Sequence, residues 1–379
     1  MSQKRGNGEG SIGQYKGRWV ARYTLPNGRR RAVYGTTRAE TAQKLAAAIR
    51  NRDAGITALD ERTTVEAFLL QWLELSVKGR NRPSTHMAYA SHVRVHLVPA
   101  LGSTPLARLT PADVERFMAT KLAAGLSPST VARIRATLRR ALTVALRQGM
   151  VVRNAAALAD PPRNQPREFT PLSRDEARAF LETIRGHRLE ALFVVALTTG
   201  LRQGELLGLT WDGVDFPRRR ITVRQALQRI GGEPTLVEPK TAKSRRTITV
   251  PPVAMELLRS QHDWHTAMQS TTDEPWNRLG LVFTSVTGTP LDGSNVTHVF
   301  QRMLSQAGLP RIRFHDLRHT CASLLLAQGT HMRVIMEQLG HSQISLTMNT
   351  YSHVMPEALD DAAALMQDIL TDDWKSSLS

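Results

Sequence analysis

The first 56 residues show two patterns of hydrophobic and polar positions: alternation, which predicts strands, and helical spacing, which predicts a helix. Pro26-Asn27-Gly28 separates two strand-like stretches and is a strong hairpin signal, because Asn and Gly tolerate positive φ. From residue 38 to 50 the apolar positions recur at helical spacing. The strand-like stretches are residues 10–15, 19–24 and 29–34. Residues 1–56 are therefore predicted to form a small α+β domain with a three-stranded sheet and one helix.

Residues 63–158 show helical patterns throughout. Each predicted helix starts at a side-chain oxygen able to cap it, a proline suited to the first turn, or both, and glycines follow three of the ends. The predicted helices are residues 65–77, 85–98, 112–125 and 129–150. Four helices of this length predict a compact all-α bundle.

The last of these helices is rich in arginine. Its leucines at positions 138, 142 and 146 are expected to face the core, while some of its arginines face a phosphate backbone. The candidate DNA-binding residues on this helix are Arg133, Arg135 and Arg139.

A proline-rich stretch, residues 159–171, is predicted to be a linker, because its four prolines prevent helix formation. Ser173 and Glu176 then form a capping-box pattern that opens a third domain, residues 172–379. This domain is predicted to be mainly α, with one small antiparallel sheet that has Lys240 and Lys243 in its last turn. The strands expected in that sheet are residues 221–223, 235–238 and 246–250.

Charge narrows the class of partner. The 379 residues include 50 Lys+Arg against 33 Asp+Glu, a formal net charge of +17. Such an excess favours a polyanion, because basic groups that meet phosphates release condensed counterions. Residues 1–60 alone carry 12 − 4 = +8. Within them Arg29, Arg30 and Arg31 are placed beside Trp19 and Tyr23 on the predicted sheet, which indicates a DNA contact.

Several protein classes are not expected. The chain has no apolar run long enough to span a membrane and no signal-peptide pattern at its start, so we expect a cytoplasmic protein without a membrane partner. Its single cysteine, Cys321, rules out an internal disulfide and a thiolate zinc site. His315 and His319 stand four apart but without an HExxH motif, and no metal site is predicted.

Four segments of the third domain concentrate chemically capable residues. They are LTTGLRQGELLGL around Arg202, EPKTAKSRR around Lys240, HDLRHTCASLLL from His315, and LGHSQISLTMNTYSH, which contains His341 and Tyr351. Each alone is open to an ordinary structural explanation. Together, in this order and spacing, they resemble the motifs of the tyrosine recombinase (phage integrase) family.

The resemblance covers nearly the whole chain and implies a role for each domain. Residues 1–56 resemble the arm-type DNA-binding domain of many integrases, residues 63–158 the helical (SAM-like) core-binding domain, and residues 172–379 the catalytic domain. One departure is Asn154-Ala155, where the family often has Asn-Pro. The implied function is a site-specific recombinase that integrates and excises a phage or mobile element in a bacterial host, associated with its nucleoid.

The chemistry requires these residue types independently of the resemblance. A tyrosine hydroxyl can hold a phosphoryl group covalently, and among the chain's five tyrosines only Tyr351 lies beside the other candidates, so it is the predicted nucleophile. Two guanidiniums, Arg202 and Arg318, can bind the negative charge of the transition state without a metal. His315 and His341 can donate hydrogen bonds to the same oxygens, and His315 is also a candidate general base.

Two further roles follow, one of them from the resemblance. By resemblance Lys240 is the general acid that protonates the leaving 5′-oxygen, and Lys243 is the alternative. Glu205, three residues after Arg202, is expected to support the site by orienting a neighbour. The expected product is a 3′-phosphotyrosyl link with a free 5′-hydroxyl. Strand exchange through this link is nearly isoenergetic, so no cofactor is predicted.

Three alternatives remain beside the integrase hypothesis. An Xer-type chromosome-dimer resolvase shares the bundle and catalytic domain but usually lacks an arm-type domain. A type IB topoisomerase shares the catalytic roles and also needs no such domain. A non-catalytic DNA-binding regulator on the same fold would not require the complete set of arginines, lysine, histidines and tyrosine.

The last segment, residues 356–379, is acidic in a basic protein, with six Asp+Glu against one lysine. Its apolar positions recur at helical spacing, which predicts a helix that packs on a protein surface. By resemblance this helix docks on a neighbouring subunit of a homotetramer on DNA, and packing on its own domain is the alternative. The other expected partners are double-stranded core and arm attachment sites, a host bending protein and an excisionase.

Overall fold

The computed structural model describes most of the chain in two compact units, residues 1–166 and 167–379. The boundary between them falls inside the stretch predicted to be a linker. Within the described residues no helix is both long and apolar enough to cross a membrane. The described residues are 10–25, 28, 30–53, 62–163, 170–238, 245–271, 273 and 276–340.

The first unit begins with an antiparallel sheet in the order β1-β2-β3, covered on one face by a helix. Its elements are β1 (Ser11–Tyr15), β2 (Arg18–Thr24), β3 (Arg30–Gly35) and α1 (Arg38–Asp53). Ala21 and Tyr23 of β2 pack with Leu25 and with Leu45 of α1. This confirms the predicted three-stranded sheet and helix.

The two faces of this sheet carry different side chains. Tyr23 is buried in the core, and Trp19 lies on the same helix-covered face because side chains two apart on a strand point the same way. The opposite face exposes Tyr15 and Tyr34 instead. Arg30, opposite Thr24, belongs to this open face, whereas Arg31, opposite Tyr23, belongs to the other. Arg30 and Arg31 therefore lie on opposite faces of the sheet, and only Arg31 shares a face with Trp19 and Tyr23.

The second core of this unit is a helical bundle, as predicted. Thr64, Thr110 and Ser127 cap their helices through side-chain oxygens, while the helix at Pro83 begins without a side-chain cap. The bundle contains α2 (Val65–Trp72) with a π-helical continuation Leu73–Val77, α3 (Pro83–Ser91) with a π-helical continuation His92–Leu97, α4 (Val98–Leu101), a short 3₁₀ turn Leu106–Arg108, α5 (Pro111–Ala123), α6 (Pro128–Arg147) and α7 (Ala155–Leu158).

Helix α6 buries a stripe that drifts around its axis. Leu138 and Leu142 are buried as expected, but Leu146 is 41% exposed and Ala145 is buried in its place. Eight residues of an α-helix turn through about 80° more than two full turns, so Leu146 leaves the face that Leu138 occupies. The expectation for Leu146 is corrected accordingly.

The same stripe changes the role of one predicted DNA-binding residue. Arg135 follows Val131 by four residues and precedes Leu138 by three, which places it on the buried face, and it is only 8% exposed. Its guanidinium donates hydrogen bonds to the carbonyl oxygen of Ala159, with Nε at 2.9 Å. Arg135 is thus an internal link between α6 and the chain after α7, and not a surface residue for DNA. Arg133 and Arg139 are exposed.

The second unit is mainly helical around one large core. Phe180, Phe193, Phe300 and Phe314 meet in its centre, with ring centroids of Phe180 and Phe300 5.5 Å apart. The capping box predicted at Ser173 and Glu176 is present. The helices are α8 (Arg174–Thr183), α9 (Glu190–Thr199), α10 (Gln203–Leu207), a 3₁₀ turn Trp211–Gly213, α11 (Pro252–Gln269), α12 (Gly293–Gln306), α13 (Asp316–Ala327) and α14 (Met332–Leu339).

The strands of this unit form two separate pieces where one sheet was predicted. A three-stranded sheet has the order β4-β5-β8, and β6-β7 is an independent hairpin. Gly231 and Gly232, both at positive φ, form the turn of that hairpin, a Gly-Gly signal that indicates such a turn. The strands are β4 (Val214–Asp215), β5 (Arg220–Val223), β6 (Ala226–Ile230), β7 (Glu233–Val237) and β8 (Arg246–Thr249).

A buried histidine lies in an aromatic cluster on α11. His265 is 6% exposed, and the indole N–H of Trp211 donates to its Nδ1 at 3.2 Å. The ring also contacts Trp264 and Trp276 edge-on. Burial lowers the pKa of His265 to about 4, followed by a smaller contribution from His262. A proton on Nδ1 would face the indole donor, so the fold requires the neutral ring.

Candidate active site

Three segments of the second unit meet where α9 ends. Gly200 ends α9 in the left-handed conformation at φ 64°, and an added Cβ there would overlap the side chain of Leu339 at the end of α14. This close approach brings the start of α10, the start of α13 and the end of α14 together. Four of the predicted site residues, Arg202, Glu205, His315 and Arg318, lie on these segments.

Arg202 immediately precedes α10, and Glu205 lies in its first turn. Glu205 Oε1 accepts a hydrogen bond from Arg202 Nη1 at 2.7 Å, and Oε2 accepts one from the Arg202 backbone N–H at 3.1 Å. The side chain of Arg202 remains 39% exposed, whereas that of Glu205 is 6% exposed. Glu205 thus orients a guanidinium that solvent, or an anion, can reach. The supporting role of Glu205 stays a prediction, and this contact is consistent in geometry with it.

Arg318 lies deeper, in the first turn of α13. It is 2% exposed, and its guanidinium donates to the carbonyl oxygens of Gly200, at 2.7 Å, and Leu339. Arg318 therefore connects the segment that contains Gly200 and Arg202 to the end of α14. Its positive charge lies beneath the surface of the site, while Arg202 lies at the surface.

His315 occupies the N-cap position of the same helix without a side-chain capping hydrogen bond, and it stays exposed. The protein packed around the ring lowers the pKa of His315, and the positive charges of Arg318 and Arg202 lower it further. The ring of His319 lies edge-on to it, with centroids 5.2 Å apart. Burial lowers the pKa of His319 to about 4. Both imidazoles are consequently neutral at pH 7, and a neutral His315 can accept a proton.

Arg246 is a further member of the site that the sequence analysis did not single out. Its Nη2 donates to Glu205 Oε2 at 2.9 Å, and its Nε donates to the carbonyl oxygen of Gln338 at 2.6 Å. A signal for it existed in the strand pattern of β8. Arg246 occupies an inward position, in step with buried Ile248 and Val250, where a charged residue needs a partner.

The assembled site is suited to bind an anion. Arg202 and Arg246 both bind the carboxylate of Glu205, and Arg318 binds the end of α9. The exposed groups are the guanidinium of Arg202 and the imidazole of His315. Guanidiniums bind phosphate oxygens in paired hydrogen bonds. Within the described residues no group of three or more His, Cys, Asp or Glu side chains is arranged to hold a metal ion.

Several predicted residues lie outside the part of the chain that the structure describes. These are Arg29, Lys240, Lys243, His341, Tyr351 and the C-terminal segment 356–379. The described strands β7 and β8 flank the segment with the two lysines, and α14 ends at Leu339, two residues before His341. Four candidate DNA-binding residues belong to the first unit and are exposed there: Arg30, Arg31, Arg133 and Arg139.

The second unit and part of the bundle match known family models. Residues 171–358 match the phage integrase family, and residues 64–122 match the N-terminal SAM-like domain of phage integrases. The first match contains all four of the clustered residues and Arg246.

Similar proteins and solved structures agree with these matches. The chain is 30% identical over 397 residues to an integrase of Streptomyces ambofaciens, covering 97% of this chain and 98% of that protein. It is 27% identical to a tyrosine recombinase described as XerC-like from Caldanaerobacter subterraneus, over 90% of this chain and 92% of that protein.

Two solved structures share the fold. The Tn1549 transposon integrase, solved in complex with a circular intermediate DNA, has a TM-score of 0.67 at 22% identity, covering 81% of this chain and 99% of that one. A lambda integrase dimer bound to a core site has a TM-score of 0.59 at 17% identity, covering 93% and 96%. With its motifs, its site and these matches taken together, the chain belongs to the phage integrase family of tyrosine recombinases.

Proposed function

We propose that this site-specific recombinase cuts double-stranded DNA by attack of Tyr351 on a phosphodiester, forming a 3′-phosphotyrosyl link and a free 5′-hydroxyl. The observation that carries the proposal is the convergence of Arg202, His315 and Arg318 at the end of α9. The chain that leaves α14 next to this cluster continues to His341 and Tyr351.

The described residues can stabilise the transition state of such a reaction. Attack on phosphorus concentrates negative charge on the non-bridging oxygens. Arg202 is exposed and held in place by Glu205, so it can donate directly to those oxygens. Arg318 adds positive charge from beneath, and His315 and His341 add hydrogen bonds. His315, neutral at pH 7, is also the candidate base for the tyrosine proton.

Lys240 is the proposed general acid, with Lys243 as the alternative. The leaving 5′-oxygen needs a proton, but a 5′-thiolate leaves without one. We expect Lys240→Ala to lose cleavage of ordinary DNA and to recover it on a substrate with a 5′-bridging sulfur. Rescue of Lys243→Ala, with none for Lys240→Ala, would move the general acid to Lys243.

The decisive experiment is covalent capture on a nicked suicide substrate. Wild-type protein should form an adduct that survives denaturation, and Tyr351→Phe should form none while it keeps its fold and its DNA affinity. An adduct in Tyr351→Phe would show that another residue is the nucleophile. If wild-type protein bound DNA without any adduct, the non-catalytic regulator would be the better description.

The N-terminal sheet is proposed to bind arm-type sites of an attachment region. Its open face combines the basic side chains of Arg18, Arg22 and Arg30 with exposed Tyr15 and Tyr34. Deletion of residues 1–56 should spare cleavage of a core site and impair integration. The binding of this domain should weaken steeply with salt. Normal integration by the truncated protein would favour an Xer-type function.

Assembly on DNA belongs to the same proposal. We propose a homotetramer that integrates and excises a phage or mobile element in a bacterial cell, acting in its cytoplasm at the nucleoid with a host bending protein and an excisionase. The acidic segment 357–379 would dock on a neighbouring subunit. Its removal should spare binding to one half-site and reduce cooperative binding to two, as measured by gel-shift titration. Unchanged cooperativity in a folded truncation would assign the segment to its own domain.

A further inference from the structure

Arg246 occupies a buried position between two segments of the candidate site. Its side chain is 7% exposed although it begins β8, an edge strand of the three-stranded sheet. One side of its guanidinium binds Glu205 of α10, and the other binds the backbone of Gln338 at the end of α14. Burial of an arginine is costly unless its charge is paired and its N–H groups are bonded. The burial of the Arg246 guanidinium is therefore not explained by a role as a surface charge.

Glu205 is shared between two arginines. Arg202 binds Oε1 at 2.7 Å and Arg246 binds Oε2 at 2.9 Å. Burial by itself would raise the pKa of Glu205, but the hydrogen bond and charge of Arg246, followed by the charge of Arg202, lower it overall. Glu205 is therefore a carboxylate at neutral pH.

The charges of these three residues affect the phosphate clamp, which is formed by Arg202 and Arg318 as the proposed ligands of the reacting phosphate. With only Arg202 and Glu205 present, the pair would be neutral, and the carboxylate that orients Arg202 would also cancel the charge offered to a phosphate. Arg246 restores a net charge of +1 to the group of three. Because the group is partly withdrawn from water, this charge is screened less than a surface charge would be.

The contact with α14 adds a geometric role. An added Cβ on Gly340 would lie 3.1 Å from Arg246 Cδ, so the guanidinium lies directly against the end of that helix. Arg246 and Arg318 bind the successive carbonyl oxygens of Gln338 and Leu339. Cations at these carbonyls also complement the negative end of the helix dipole.

We infer that Arg246 is a positioning residue for the cleavage reaction: it neutralises Glu205 so that Glu205 orients Arg202 without cancelling its charge, and it holds the end of α14 against α10. The inference rests on the proposed function, because it assigns Arg202 to the phosphate clamp. Arg246 is inferred to act through Glu205 and through the end of α14, which makes its role one of positioning.

The test compares single-turnover cleavage of a suicide substrate at saturating protein, well below the melting temperature, with the DNA dissociation constant. Arg246→Met should cleave roughly 100-fold more slowly, the scale of loss when a catalytic group is misplaced. Its DNA affinity should change little. Arg245→Met is the matched control. Among the described residues the adjacent Arg245 forms an exposed ion pair with Glu238, so this variant should cleave at the wild-type rate.

Two more variants separate positioning from simple loss of structure. Glu205→Gln combined with Arg246→Met removes both charges, so Arg202 regains its uncancelled charge, and the double variant should cleave roughly tenfold faster than Arg246→Met alone. Arg246→Lys keeps the charge but cannot bind both partners, because an ammonium lacks the planar fork of a guanidinium. It should therefore fall between wild type and Arg246→Met.

The outcomes are distinct. Wild-type cleavage by Arg246→Met would overturn the inference and leave the proposed function intact. A double variant no faster than Arg246→Met, with an equal melting temperature, would overturn the electrostatic role. Equal loss of DNA affinity and cleavage rate would assign Arg246 to folding or DNA binding. Absence of any adduct with wild-type protein would instead overturn the proposed function, and this inference with it.

Discussion

Replacement of Arg135 by methionine tests whether this arginine serves the fold of the bundle or the binding of DNA. The side chain is buried on α6 and donates two hydrogen bonds to the Ala159 carbonyl. Methionine fills most of the same volume without charge. The matched variant is Arg139→Met, one turn further along the same helix, where the side chain is exposed.

The size of the effect follows from the bonds lost. Hydrogen bonds from a charged donor contribute about 1.5–3 kcal/mol, and a carbonyl left unpaired in the interior costs about 1–3 kcal/mol. Burial already disfavours the charged form of Arg135, since it lowers the pKa of its guanidinium, so removal of the charge recovers part of this loss. We expect Arg135→Met to destabilise the first unit by about 1–2 kcal/mol. This corresponds to about 2–4 °C per kcal/mol in melting temperature.

The two variants should have opposite effects on melting temperature and DNA affinity. Arg135→Met should melt earlier and bind DNA with unchanged affinity and salt dependence at 15 °C. Arg139→Met should melt normally and bind DNA more weakly, with a salt slope shallower by about one. Calorimetry and fluorescence anisotropy across a salt series measure both. A normal melting temperature together with weaker DNA binding in Arg135→Met would refute the internal role.

Other consequences of the structure can be tested by stability measurements. Gly200→Ala should lower the free energy of unfolding by about 2–4 kcal/mol, because it combines a positive φ with overlap against Leu339. Gly186 also has a positive φ, 74°, but open space around it, so Gly186→Ala should lower the free energy of unfolding by only about 1–2 kcal/mol. Equal losses would show that the overlap is unimportant. Phe300→Ala should cost about 3–5 kcal/mol in denaturant unfolding, and a loss under 1 kcal/mol would contradict its central place in the core. His265 has a pKa of about 4 in the folded protein and 6.5 in the unfolded chain, so its contribution to stability is complete above pH 6.5. As the pH falls from 6.5 to 4, the free energy of unfolding should decrease by about 3 kcal/mol. His265→Gln should flatten this pH dependence, and an unchanged slope would exclude His265 as its source.

The sequence by itself determined the local elements and the candidate chemistry. Alternation and the Asn-Gly signal were sufficient for the N-terminal hairpin, and capping residues marked helix starts such as Thr110 and Ser173. These features depend on neighbours within a few residues, so the pattern contains the necessary information. The four motifs likewise indicate Arg202, His315 and Arg318 as candidate site residues.

Tertiary structure decided the pairing of strands and the roles of individual arginines. Local pattern alone placed residues 235–238 in one sheet with 221–223, but a β-ladder depends on which distant strand is available, and β5 pairs with β8 while β6 pairs with β7. The arginines Arg135, Arg246 and Arg318 look alike in sequence as carriers of positive charge. Each is buried because a particular carbonyl or carboxylate, 21 to 118 residues away, meets its guanidinium in the folded chain. Such a partner is set by packing between elements, and no local periodicity contains it.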